Sequence, residues 1–225
     1  MSSRVAPRVL HADEMPWVPS PTPHVWRKRF ELSGPAEAGR VTSIVRYDPT
    51  SVFPSHPHPD GEEILVLEGV FSDEHGDYPA GTFLLHPQGF EHAPFSRQGC
   101  VLFVKLRQAA GDRQTVRIDT RNAAWQGTGM AGVARLPLYA DPRFPERIHL
   151  SRVAPGVHTG PLEFPDGEEI LVLEGAFEDE YGSYRRHSWL RFPPGSGHTL
   201  RSDSGCTLYV KRARQPPVHV LTSAW

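Results

Sequence analysis

His56 and His58 stand two residues apart in the segment HPHPDGEEILVLEG (56–69). Glu62 and Glu63 follow the Pro59-Asp60-Gly61 turn, and His92 comes about thirty residues further on in HPQGFEH. Alternate residues of an extended strand project to one face, so the two neighbouring imidazoles can aim at a common point. Three imidazoles and a carboxylate suit a first-row divalent ion such as Zn, Fe, Mn, Ni or Cu, and donor types alone do not choose among them. The other histidines, His11, His24, His75, His86, His149, His187 and His219, are read as surface residues. Glu91 and Tyr78 lie close to these motifs, but no general base is legible in the sequence.

The elements that must position these donors occur twice. PDGEEILVLEG spans 59–69 and again 165–175, an offset of 106 that holds without a gap from Arg46 to Lys105 (Arg152 to Lys211). Gly69 then falls on Gly175, Pro87 on Pro193, His92 on His198 and GCVLFVK on GCTLYVK. Upstream the offset becomes 108, matching Trp17 to Trp125, Val25 to Val133 and Arg27 to Arg135. A repeat of this length is a domain rather than a solenoid brick. The expectation is two tandem domains, 1–112 and 113–225, joined near residues 107–116.

Each unit reads as all-β. EEILVLEG and CVLFVKL are short apolar runs rich in branched residues and bounded by Gly or Pro, and FSDEHGDY reads as a hairpin tip with Gly76 placed for a positive φ. No helical periodicity is convincing anywhere, so a sandwich or small barrel is expected. The acidic stretches SDEHGDY and EDEYGSY are read as solvated tips, and Cys100 and Cys206, at one repeat position, as small buried hydrophobes.

Composition excludes several classes. A net charge of −2 and a pI near 6.6 give no case for nucleic acid or an anionic membrane. The N-terminus has no apolar run of signal-peptide type, and two cysteines make no disulfide framework, so a cytoplasmic setting is expected.

The donor pattern resembles the two motifs of the cupin superfamily. The first is a glycine, five residues, HxH, three or four residues, a glutamate, six residues and a glycine; His56, His58, Glu62 and Gly69 fit it, with Thr50 where the leading glycine stands. The second is met by Gly81, Pro87, Gly89 and His92, with Ser96 in place of the final asparagine. The wording of both halves is similar to the cupin domain of ChrR-type anti-sigma factors, which implies two tandem cupin jelly-roll barrels (double-stranded β-helices). The motif spacing favours Glu62 over Glu63, leaving Glu63 as a solvent or inter-barrel partner. The resemblance thus implies one divalent metal held by His56, His58, Glu62 and His92.

In the second copy Leu162 and Phe164 stand at the positions of His56 and His58, while Glu168 and His198 persist. That barrel is expected to carry no metal; a displaced site using His158 with Glu168 and His198 is the alternative. Three functions fit: a metal-dependent dioxygenase or isomerase acting on a small molecule, a regulatory sensor, or a non-catalytic ligand-binding barrel. The zinc-binding HxxxCxxC arrangement of the anti-sigma domain is missing from the sequence, so anti-sigma activity is not expected. Two barrels in one chain imply an intramolecular pseudo-dimer, with homo-oligomers common in the family.

Overall fold

The structure is a computed structural model that describes residues 5–213. It is all-β, and the one helical element among the described residues is a 3-10 turn at Ala12–Glu14. No helix among those residues is long and apolar enough to cross a membrane.

The described chain forms two compact units, 15–123 and 124–213, with residues 5–14 joining the second. In the first unit one antiparallel sheet orders the strands Val116–Asp119, Thr82–His86, Glu62–Asp73, Cys100–Leu106, Arg40–Tyr47, Val25–Ser33 and Val18–Pro19. A separate pair, His56–His58 and Phe90–His92, carries the histidines. The second unit repeats this plan, with Arg8–His11 beside Ser188–Phe192 at one end of the sheet. Division by packing therefore differs from division by repeat at two short strands. Val116–Asp119 opens the second repeat but pairs with Thr82–His86 of the first, and Arg8–His11 opens the first repeat but pairs with Ser188–Phe192 of the second. Each covers backbone N–H and C=O groups that an exposed sheet edge would leave unpaired.

Side-chain parity on Glu62–Asp73 explains how the apolar runs position the site. Ile64 and Val66 enter a core with Leu84, Leu102, Val104 and Phe71, and Glu62 shares their face. Glu63 and Leu65 point the other way and are also buried, which is why the run reads as continuously apolar rather than alternating. Within the strand, at Gly69 (φ +72°), an added Cβ would overlap the Gly99 carbonyl oxygen; Gly175 stands in the same relation to Gly205. The Asp73–Gly76 turn closes the expected hairpin, with Gly76 at φ +144°. Cys100 and Cys206 are buried free thiols, and burial pushes them up to about 12 and about 11, so both serve as apolar filler.

Thr50, at the motif position usually held by glycine, has φ +65°, and its counterpart Gly156 has φ +77°. The backbone thus requires a left-handed residue in both repeats, and a β-branched side chain is an unfavourable occupant. Thr50 is exposed, so removing its side chain opens no cavity. Thr50→Gly is expected to stabilise the protein by about 1 kcal/mol, the relief of left-handed strain less the added flexibility of the unfolded chain. Chemical denaturation checks this; an unchanged or lower midpoint would mean that the strain is relieved elsewhere.

Candidate metal centre

Two strand pairings converge the donors. His56 lies opposite His92 in the small sheet, and Glu62 lies opposite His86 in the large one. His58 Nε2 is 3.0 Å from His92 Nε2, and Glu62 Oε2 is 3.5 Å from the first and 3.7 Å from the second. Donor atoms of His56, His58 and His92 lie within 4.8 Å of one another, as do those of Glu62, His86 and His92. Ligand atoms around one ion, each at about 2.1 Å, stand roughly 3 Å apart, so these spacings fit a shared ion.

Hydrogen bonds at the far nitrogens orient the rings. His56 donates from Nδ1 to the Pro54 carbonyl (2.9 Å) and His92 from Nδ1 to Asp73 Oδ2 (3.2 Å), turning the Nε2 lone pairs toward the cluster. Asp73 also accepts from the Tyr78 hydroxyl (2.9 Å) and the His75 amide (2.8 Å). Burial works to raise the Glu62 carboxyl, but His58, His86 and His92 outweigh it and hold the group down to about 2. Burial drives His58 below its ordinary value; for His92, Asp73 and Glu62 overcome burial and drive it above. The cluster therefore gathers imidazole nitrogens of His56, His58 and His92 around an ionised carboxylate, an arrangement suited to a divalent cation.

Several sequence expectations need correction. His86 is not a surface residue: it is 2% exposed, stacks on Phe90 with centroids 4.1 Å apart and donates from Nδ1 to Glu62 Oε2 at 3.2 Å. Asp73 is not part of a solvated tip but the buried partner of His92, and Glu74, beside it, is exposed. Glu63 is not at solvent either: it lies buried in register with Lys105, which donates to Thr42 (2.9 Å). His149 is buried as well. Glu91 is exposed and accepts from Ser55, and Tyr78 is spent on Asp73, so neither faces the donors. His219 lies outside the described residues. One signal for His86 was available in the repeat, because Phe192 replaces it in the copy that also loses His56 and His58.

A cavity of 410 Å³ reaches His56, His58, Glu62 and His92. Its walls include Val45, Tyr47, Phe53, Phe71, Leu102 and Leu106, and Arg27, which also borders it, is bound to Glu37 at 2.9 Å. The second repeat keeps the scaffold and loses the donors. His198 still donates to Asp179 (2.8 Å), which accepts from Tyr184 (2.9 Å), but Leu162, Phe164 and Phe192 occupy the positions of His56, His58 and His86. Glu168 is bound instead by Arg212, which stands where the first repeat has Leu106. His158 is exposed opposite Arg201, and among the described residues both candidate donor clusters lie in the first repeat.

The profile of the ChrR cupin-like domain matches residues 5–110 and again 113–215. No curated protein matches the sequence. A Nostoc punctiforme protein provisionally assigned as a dioxygenase superposes with a TM-score of 0.77 at 15% identity, over 98% of this chain and 87% of its own. A bacterial pirin from Escherichia coli, in complex with nickel(II), gives 0.71 at 15% identity over 94% and 100%. A salicylate 1,2-dioxygenase variant from Pseudoaminobacter salicylatoxidans, in complex with gentisate, gives 0.62 at 14% identity over 94% and 84%. At these identities the likeness establishes the cupin fold of both repeats and nothing about substrate.

Burial, then Arg135 and Arg212, push His149 down to about 3. Unfolded His149 titrates near 6.5, so between the two values the unfolded chain holds a proton that the folded protein does not. Stability is therefore lost as pH falls through this window. Replacing His149 by serine, its repeat counterpart at position 43, is expected to reduce the loss between pH 7 and 4.5 by about 2 kcal/mol. Denaturant titrations at several pH values check it; parallel curves for the two proteins would show His149 protonating freely in the fold.

Proposed function

The chain belongs to the ChrR cupin-like domain family, and from that premise we propose that its first barrel is a divalent-metal-dependent oxidoreductase of dioxygenase type acting on a small, largely apolar molecule. The observation that carries this reading is the joining of a His/Glu donor cluster to a 410 Å³ cavity whose walls are largely apolar, with Arg27, Glu37 and Arg107 also bordering it. A structural zinc site is closed by its four ligands, whereas a catalytic site keeps a position open to a pocket. His56, His58, Glu62 and His92 are the ligands in this proposal, with His86 holding the Glu62 carboxylate and Asp73 the His92 ring. A bound metal with an open position supplies Lewis acidity or dioxygen chemistry.

The chain's own residues do the rest. Asp73 and the Pro54 carbonyl fix the tautomers of His92 and His56. The His86–Glu62 hydrogen bond holds the carboxylate ionised and aimed inward on the face of Ile64 and Val66. Tyr47, Phe53 and Phe71 exclude water and offer flat contact to a substrate. The two cysteines, both free, suit a reducing compartment such as the cytoplasm.

Elemental analysis of tag-free protein is expected to find one equivalent of Fe, Mn, Ni or Zn, lost in His92→Ala and kept in Glu168→Ala. Two equivalents, or metal that survives His92→Ala, would refute the single-site assignment. Cobalt(II) substitution then reports the coordination number: weak visible bands that shift on adding azide mean an open position, whereas intense, azide-insensitive four-coordinate bands would move the function to a sensor or structural role. Asp73→Asn, which keeps the shape but withdraws the charge behind His92, is expected to weaken cobalt affinity by 10- to 100-fold. An unchanged affinity in a chelator competition would show that His92 needs no such support.

A further inference from the structure

We propose that the second barrel is a receptor for a small monoanion, a short-chain 2-hydroxycarboxylate, bound by arginines where the first barrel has its metal donors. A cavity of 130 Å³ lies within this unit, room for about four waters at ~30 Å³ each. Arg135, Arg212, Glu168, His149, Ser151 and His198 line it together with aliphatic side chains. Two guanidinium groups and one carboxylate leave one positive charge uncompensated when the imidazoles are neutral. Among the described residues Arg212 has Glu168 as its carboxylate partner, and Arg135 has none.

A second observation points to a ligand. His198 is 1% exposed, and its Nε2 meets no hydrogen-bond partner among the described residues. Its Nδ1 hydrogen goes to Asp179 at 2.8 Å, so Nε2 presents a lone pair at the cavity and calls for a donor such as a ligand hydroxyl. An unpaired buried nitrogen is costly in a finished core, and its retention beside an uncompensated guanidinium is explained when a bound molecule supplies both partners. The carboxylate answers Arg135 and the outward nitrogens of Arg212, the hydroxyl answers His198, and Leu162 and Leu200 accommodate a short carbon chain. Metal is disfavoured here because Phe164 and Phe192 flank His198, with ring centroids 5.3 and 4.7 Å away, and Arg212 is already the cation on Glu168.

Calorimetric titration of the full-length protein with lactate, glycolate, neutral lactamide and inorganic phosphate tests this. Lactate is expected to bind one site, at least tenfold more tightly than lactamide. The affinity should fall tenfold or more in Arg135→Gln and be unchanged in His92→Ala, which separates this site from the first barrel. A histidine ¹H–¹⁵N spectrum of the unsubstituted protein is expected to show a lactate-induced shift of His198 Nε2, a readout that does not depend on a variant folding. The proposal is overturned if no acid binds, if lactamide or phosphate binds better than lactate, if binding follows His92 rather than Arg135, or if the His198 signal does not move.

Discussion

A carboxylate buried on the inward face of a β-barrel must be compensated by positive charge and hydrogen bonds, because the strand that carries it offers neither. Glu62 and Glu168 occupy this position in the two repeats, each 6% exposed. The first repeat compensates with imidazoles: His86 by direct hydrogen bond, and His58 and His92 within 4 Å. The second compensates with the Arg212 guanidinium. For Glu62 the surrounding histidines outweigh burial and hold the acid ionised; for Glu168 burial outweighs Arg212 and raises it. The same residue type at the same register therefore faces a cluster of imidazoles in one barrel and a guanidinium in the other.

The scaffold around that position is common to both copies because it satisfies backbone and ring geometry rather than chemistry. Asp73 and Asp179 hold His92 and His198 and accept from Tyr78 and Tyr184. Ser96 and Ser202 donate to the Val70 and Ala176 carbonyls across the hairpin. The aspartate bonds tie the short histidine strand to the long one and the serine bonds tie the next strand to it, and the second repeat keeps both with Leu and Phe at the positions of His56, His58 and His86.

Strand-level features were legible in the sequence, and so was much of the donor set. The offset of 106 residues exposed the duplication, the spacing of the cupin motif favoured Glu62 over Glu63, and His56-x-His58 with the PxG turn before His92 marked the cluster that the structure brings together. His86 and Asp73 were not legible as site residues, because each faces its partner only through pairing: His86 across the sheet from Glu62, and Asp73 across the hairpin connection from His92. Composition misled in the same way at His149 and at Glu63, polar residues whose burial follows from neighbouring strands rather than from their own segments.

What the sequence by itself determined is whatever depends on local spacing: the all-β class, the two cupin repeats, the turns, and which repeat retains imidazole donors. Only the tertiary structure decided which repeat each terminal strand completes, which buried groups stand behind the donors, and that Arg135, Arg212 and His198, whose Nε2 has no partner among the described residues, share one cavity. The physical reason is that side-chain parity along a strand is a property of consecutive residues. Partnership within a barrel joins residues far apart in sequence, 77 positions for Arg135 and Arg212 and 183 for Arg8 and Arg191, and is set by strand order and register.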